Sequence, residues 1–312
     1  MKTPLSESVW EMARVPECPL PTTMIMSEFS SALKIVVFPF VDRHTVMSYG
    51  TLEAVPMKVV LLAGGMGTRI AEHTDLRPKP MIEVGGKPLL WHLMRYFAHY
   101  GHSEFVVTLG YLGEFVKKWF LDYSRLGGSK TLSLADGSVR DHEHDETWTL
   151  HLMDTGPQTM TGGRLRRVQD LLSDGPFFLT YGDGLADVDL DALLAFHQSH
   201  GRAATITAVR PPARFGGISF EGDRVIEFAE KPQVGEGWIN GGFMVLEPAV
   251  FQYLEGDDTS LETGALETLA REGHLMAYRH DRFWQCMDTV RDLKVLESHW
   301  QTGKTPWKIW SA

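Results

Sequence analysis

Lys58-Val59-Val60-Leu61-Leu62-Ala63-Gly64-Gly65-Met66-Gly67-Thr68-Arg69 is the stretch on which the fold turns. Its aliphatic run has no polar alternation, as a strand covered on both faces requires, and it stops abruptly in glycines. That sets it inside a parallel sheet with a Gly-rich turn at its carboxyl end. Downstream, strand-like runs alternate with helical ones. The expected fold is therefore α/β, a Rossmann-like, mostly parallel sheet flanked by helices with a small β elaboration.

Phe105 to Gly110, Phe177 to Thr180 and Ala204 to Val209 read as further inner strands. Leu89 to Tyr100, Leu112 to Phe120 and Leu190 to His200 carry apolar residues at helical spacing. Ser124 to Trp148 breaks the rhythm: polar and rich in Gly, His, Asp and Glu, it predicts a protruding hairpin or loop. Past Gly216 come short strand-like pieces, Gly217 to Phe220 and Gly242 to Leu246, then a helix near Leu261 to Glu272 and a last one over Thr289 to Gln301. Residues 57–312 thus form the main domain. Residues 1–56, rich in Pro, Ser, Thr and Met, read as a poorly ordered N-terminal extension whose one strand-like patch, Lys34 to Phe40, leads into no helix.

Composition narrows the partners. Of 312 residues, 43% are hydrophobic and 22% charged, which is ordinary globular usage. The net charge of -10 argues against a protein that covers a nucleic-acid backbone, but a single polyphosphate needs only a local cationic pocket. The two cysteines, Cys18 and Cys286, have neither zinc-ligand spacing nor a disulfide framework. No apolar run is long enough to span a bilayer and no secretory signal is visible, so the expected home is the cytoplasm.

The Gly-rich turn carries the first chemical signal. Bare backbone amides at Gly64, Gly65 and Gly67 can approach an anion closely, Thr68 adds a hydroxyl, and Arg69 adds a fork of donors suited to phosphate. Lys79, held between Pro78 and Pro80, supplies a compact positive charge. A lone Gly-x-Gly would be only a tight connection. This one, however, lacks both the Gly-Lys-Ser/Thr ending of a P-loop and the third glycine of a dinucleotide fingerprint.

Thr180-Tyr181-Gly182-Asp183-Gly184 closes an inner strand and aims a carboxylate at the crevice where open α/β sheets bind ligands. Asp183 is a hard oxygen ligand for Mg2+ or, on the plainer reading, part of an Asp-Gly turn. Asp288, in Gln285-Cys286-Met287-Asp288-Thr289, reads by itself as the N-cap of the last helix; paired with Asp183 it completes a two-carboxylate metal site. Glu230-Lys231-Pro232 and Asn240-Gly241-Gly242 form a further cluster, either a solvated ion pair or contacts for a sugar phosphate. His142 and His144 read as solvated loop, and Trp307 and Trp310 as anchors of the terminus.

With Gly-Gly-x-Gly-Thr-Arg followed by Pro-Lys-Pro, the chain resembles the sugar-nucleotide pyrophosphorylases. Within them it looks like the glucose-1-phosphate cytidylyltransferases, from Met57 to Trp310. The cytidylyl branch is marked by Asp154-Thr155-Gly156 leading into Met160-Thr161-Gly162-Gly163-Arg164-Leu165, by Thr180 to Asp187, by Pro211 to Gly216, by Ile239 to Phe243, and by Pro306-Trp307-Lys308. The resemblance implies that 57–312 is the nucleotidyltransferase domain, that Leu62, Ala63, Gly64, Gly65, Gly67, Thr68, Arg69 and Lys79 line a CTP site, and that Thr159, Arg164 and Gly182 lie near the nucleotide. It further implies Mg2+ on Asp183 and Asp288, glucose 1-phosphate on Glu230, Lys231 and Asn240 with Tyr181 close by, and catalytic roles for Arg69, Lys79 and Asp183.

The same resemblance implies a homo-oligomer, often hexameric, that feeds bacterial surface-polysaccharide synthesis through CDP-glucose. A uridylyl- or thymidylyltransferase of the same fold, or a non-catalytic sugar-nucleotide sensor, is the alternative. Cys286 stands where the family leads one to expect Pro, Gly264 interrupts the 261–269 helix, and the extension has no counterpart.

Overall fold

The computed structural model of the chain describes residues 56–65, 77–141, 146–211, 217–221, 224–229 and 237–311. The extension before Pro56 with its patch Lys34 to Phe40, the loop residues Gly67, Thr68 and Arg69, the His142 and His144 pair, and Glu230 and Lys231 lie outside the described residues.

The strands that build the site are β1 (Lys58–Leu62), β2 (Glu104–Leu109), β3 (Thr149–Asp154), β4 (Phe177–Tyr181), β5 (Gly184–Ala186), β6 (Ala204–Val209), β7 (Ile239–Asn240), β8 (Met244–Leu246), β9 (Leu275–His280) and β10 (Trp284–Cys286). The helices around them are α1 (Leu89–His99), α2 (Gly113–Leu126), α3 (Thr161–Arg167), α4 (Leu190–His200), α5 (Glu267–Arg271) and α6 (Val290–Gln301). An eight-stranded sheet places β1 between β2 and β4, with β3 outside β2. These four strands are mutually parallel. Beyond β4, β8 runs antiparallel to it and to β6, while β9 runs parallel along β6. The mostly parallel sheet expected from β1 is the one found.

Alternation along β1 distributes its side chains to two cores. Val59 and Leu61 join one cluster with Leu89, Leu93 and Phe97 of α1, and Val60 and Leu62 join another with Leu165 of α3, Leu179 and Met244. Both faces are dry, which is why the strand reads as an unbroken aliphatic run. Each such fully buried side chain contributes about 1.5–3 kcal/mol of transfer free energy.

Because β1 connects onward to β2 and β3 on one side and finds β4 on the other, the sheet has a switch of direction between β1 and β4. Open α/β sheets form their ligand crevice beyond the strand ends at such a switch. Gly64 and Gly65 leave β1 on its rim, and Gly182 and Asp183 leave β4 beside them. Gly182 N–H donates to Leu62 O at 3.0 Å and stitches the two ends together.

Some elements differ from expectation. Ser124 to Trp148 begins inside α2, which runs to Leu126, and continues as a hairpin of Lys130–Leu132 on Val139–Asp141. The helix expected over Leu261 to Glu272 opens as a π turn, Leu261–Leu266, before α5. The last helix is capped by Thr289, whose hydroxyl accepts from Asp292 N–H in a capping box, so the plainer reading of Asp288 as the cap is corrected. Among the described residues no helix is long and apolar enough to cross a membrane.

Candidate active site

A short antiparallel ribbon of β5 and β10 brings the late chain to the crevice: Cys286 pairs with Gly184, and Met287 N–H donates to Asp183 O at 2.8 Å. Asp288 follows at once. Its carboxylate, freed from capping, comes to the carboxylate of Asp183 across more than a hundred residues of sequence. Ligand atoms of Asp183, Cys286 and Asp288 all lie within 4.8 Å of one another.

Lys79 comes to the same place from a separate stretch of the chain. Pro78 is extended and Lys79–Met81 forms a single 3-10 turn whose Pro80 and Met81 are buried, so the backbone of Lys79 is fixed from below. Pro80 lies so close to Gly182 that a Cβ there would sit 2.9 Å from its ring; only glycine admits this approach. The Lys79 ammonium reaches both carboxylates, 2.5 Å from Asp183 Oδ2 and 2.5 Å from Asp288 Oδ1. Burial disfavours the ammonium, but the charge of Asp183 and the hydrogen bonds that Lys79 donates to both acids outweigh it, and the group titrates above its ordinary range. The trio carries one surplus negative charge, so it remains a place for a cation. Burial pushes the Cys286 thiol upward, with Asp183 adding to it, so the sulfur stays neutral.

At the ends of the parallel strands Arg164 is buried, and its guanidinium points mostly at backbone. Nη1 donates to Leu109 O at 3.0 Å, Thr155 Oγ1 at 2.8 Å and Gly156 O at 2.8 Å, and Nη2 donates to Gly64 O at 2.9 Å. It therefore ties together the ends of β1, β2 and β3 directly beneath the Gly-rich turn. Burial, with Arg167 nearby, lowers its pKa, yet a guanidinium stays charged. Among the described residues no carboxylate pairs with this cation, which leaves a positive charge beneath Gly64.

α3 delivers Arg164, and Gly162 and Gly163 let that helix press onto the 257–261 loop: a Cβ would meet Thr259 O at 2.7 Å or Asp257 O at 2.6 Å. This is a physical reason for Thr161-Gly162-Gly163-Arg164 that the sequence alone did not supply. Thr159 is buried beside Gly156. Leu62 and Ala63 turn their side chains into the core, so only their backbone serves the site.

On the third side, Tyr181 and Asn240 meet: Asn240 Nδ2 donates to the Tyr181 hydroxyl at 3.1 Å, and Asn240 Oδ1 accepts from Gly242 N–H at 3.0 Å. The bend that aims Asn240 holds Phe243 at φ 45°, an uncommon value for an aromatic residue. The structure thus gathers Gly64, Gly65, Lys79, Thr159, Arg164, Tyr181, Gly182, Asp183, Asn240 and Asp288 around one crevice.

A family model described as nucleotidyl transferase matches residues 58–294, which span the Gly-rich turn, Lys79, Asp183 and Asp288. The chain belongs to that family. Nucleotidyl transferases similar to it include the glucose-1-phosphate cytidylyltransferase of Salmonella typhi, 46% identical over 256 residues that cover 81% of this chain and 100% of that protein. The mannose-1-phosphate guanylyltransferase catalytic subunit beta of Danio rerio is 32% identical over 76% of this chain and 62% of its own length. Among solved structures, the inositol-1-phosphate CTP transferase of T. maritima shares the fold with a TM-score of 0.55 at 16% identity, covering 82% of this chain and 98% of that one.

Sequence reasoning passed over Glu262 in this nucleotidyl transferase. It lay in a stretch read only as a helix, and its partners, Thr161 and Tyr181, are far off in sequence. The one available signal was Ser260-x-Glu262 at the head of an apolar run.

Proposed function

We propose that the chain is a glucose-1-phosphate cytidylyltransferase, converting CTP and glucose 1-phosphate to CDP-glucose and pyrophosphate. The observation that carries this reading is the meeting of Asp183, Asp288 and Lys79 at the end of β4, which is hydrogen-bonded to the end of β1 that leads into Gly64 and Gly65. Similarity to the Salmonella enzyme over its whole length supports the choice of substrates.

In the proposed step a phosphate oxygen of the sugar 1-phosphate forms a bond to the α-phosphorus of CTP, and the bond to the pyrophosphate oxygen breaks in line. The attacking oxygen is already anionic at neutral pH, so no general base or covalent intermediate is required. Gly64, Gly65 and Gly67 amides, with Thr68 and Arg69, receive the triphosphate, while Thr159, Gly182 and the backbone of Leu62 and Ala63 wall the base and ribose. Arg164 holds the turn from beneath and adds charge. Lys79 steadies the attacking or the α-phosphate once the carboxylates have another cation to hold. Glu230, Lys231, Asn240 and Tyr181 take the sugar phosphate.

The donor set fits magnesium: two carboxylate oxygens already converge on one positive centre, which suits a hard ion that leaves its remaining positions to phosphate and water. Mg2+ held by Asp183 and Asp288 would supply charge neutralisation at the reacting phosphates. The neutral Cys286 sulfur adds no further charge. The same reading makes the protein a cytoplasmic homo-oligomer, with a hexamer as the assembly that the resemblance implies.

The test is a matrix of CTP, UTP and dTTP against sugar 1-phosphates, followed by pyrophosphate release. Fastest turnover is expected for CTP with glucose 1-phosphate; a higher kcat/KM with UTP or dTTP would move the assignment to another base, and no release with any pair would end it.

A further inference from the structure

We infer that Glu262 is a positioning residue whose carboxylate aims the Tyr181 hydroxyl, and through it the Asn240 amide, at the sugar phosphate. The inference rests on the assignment of Tyr181 and Asn240 to that substrate made above.

Glu262 lies in the π turn Leu261–Leu266, is half-buried, and carries no ion-pair partner among the described residues. It receives hydroxyl protons instead. Oε1 accepts from Tyr181 at 2.7 Å, and Oε2 accepts from Thr161 at 2.6 Å and from Ser260 at 2.8 Å. Burial alone would favour the neutral acid, but these hydrogen bonds outweigh it and hold the carboxyl below its ordinary range. An ionised acceptor makes a bond roughly twice as strong as a neutral one. The single proton of Tyr181 is therefore committed to Glu262.

That commitment has a consequence along the chain of bonds. With its proton fixed, the Tyr181 oxygen turns a lone pair to Asn240 Nδ2, and Asn240 Oδ1 is taken by Gly242 N–H. Both ends of the Asn240 amide are thereby fixed in direction, and its second N–H points one way only. The mount is rigid at the other end too: Thr161 Oγ1 accepts from Leu261 N–H at 2.9 Å, and Gly163 N–H donates to Thr259 O at 3.1 Å, so the π turn is clamped to α3, the helix that carries Arg164. π turns recur at functional sites, and here one lets a single carboxylate face α3 and β4 together.

The experiment compares wild type with Glu262→Gln, Tyr181→Phe and the double variant in the pyrophosphate-release assay. Glu262→Gln keeps the shape and removes the charge. Its KM for glucose 1-phosphate is expected to rise about tenfold while the KM for CTP stays within about twofold. Tyr181→Phe, which removes the hydrogen bond that Glu262→Gln weakens, should behave alike, and the double variant should be no worse than the more severe single one, because both act on the same contact. Multiplying effects, or both KM values rising together with a lower melting temperature, would overturn the role. Thr161→Val, a milder change that spares the carboxylate, should raise the same KM by less; an unchanged value counts against the clamp. A wild-type protein inert towards glucose 1-phosphate sinks the substrate reading alone. The crystal structure of Glu262→Gln then decides the positioning role by itself: the Asn240 amide turned away from the Tyr181 hydroxyl is the expected result, and an intact hydrogen bond between them is the refutation.

Discussion

At the rim of the crevice, Lys79, Asp183 and Asp288 are part-exposed, charged and satisfied mainly by one another. Behind α1, Trp91, His92, Trp300, Trp307 and Trp310 are packed ring against ring at 5.2 to 6.1 Å between centroids, with His92 neutral at the centre. The rim holds two carboxylates close together on one ammonium, a surplus of negative charge that a further cation would relieve. The aromatic clasp gains everything from excluding water and has no group waiting for a ligand. Changes at the rim should therefore alter rate and spare stability, and changes in the clasp should do the reverse.

The largest effect is expected where the charge is greatest. Asp183→Asn removes one of the two acids without altering shape and should lower kcat on the order of a thousandfold, the scale seen when a single group that stabilises transition-state charge is removed. Its melting temperature should stay near wild type, since Asp288 still pairs with Lys79. Single-turnover rates and calorimetry on the same preparation check both halves. Near-normal turnover would remove Asp183 from the chemistry.

Trp307→Ala reverses the pattern. The side chain is fully buried, stacks on Phe283 at 5.5 Å and donates Nε1–H to His92 Nδ1 at 3.4 Å. Truncation leaves a cavity and an unmet acceptor, costing about 3–5 kcal/mol. Chemical denaturation should show that destabilisation, while kcat per folded molecule changes by less than about twofold; a comparable fall in kcat would mean that clasp and rim are coupled.

The two regions were unequally legible in the sequence. At the rim, Gly64, Gly65, Lys79 and Asp183 stood in local motifs whose chemistry is carried by neighbours in the chain, so their meeting followed from one parallel pair, β1 with β4. Asp288 was legible only as one of two readings, because a carboxylate before a helix looks like a cap until Thr289 is seen to do that work. Arg164 was placed near the nucleotide by resemblance, but its carbonyl partners come from three separate strand ends and leave no pattern in sequence. β3 went unread because, as an edge strand, it is half-buried and mixes Thr, His and Asp with its aliphatics. Trp307 and Trp310 read correctly as anchors, without any hint that His92 was their partner.

Acid provides a finer comparison. Burial lowers His92 to about 4, with Lys87 and Lys308 adding repulsion to its proton, and burial alone lowers His102 to about 4. In the unfolded chain both titrate near 6.5, so between 6.5 and 4 the unfolded state binds protons that the folded state refuses. Stability is therefore fully present above that window and falls as pH drops through it, each histidine contributing on the order of 3 kcal/mol. Urea midpoints at pH 7.5, 5.5 and 4.5 should decline, and His92→Asn should flatten the decline. An unchanged slope in that variant would show that the ring accepts a proton in place. Lys79, already charged and titrating above its usual range, takes no share in this acid response.

Cys286→Ser separates the regions at the smallest scale. The thiol lies with the two carboxylates but is kept neutral by burial and by Asp183, so it neither balances nor adds to the charge that the rim presents to a cation. Serine is also neutral and somewhat smaller. Exchanging the two leaves the count of charges around Lys79 the same and costs the ribbon of β5 and β10 only a little packing, less than about 1.5 kcal/mol. The magnesium dependence of kcat should then stay within about twofold of wild type. If half-saturation by magnesium moved by tenfold, the sulfur would be acting as a ligand in its own right, and the rim would have to be counted as a three-donor site.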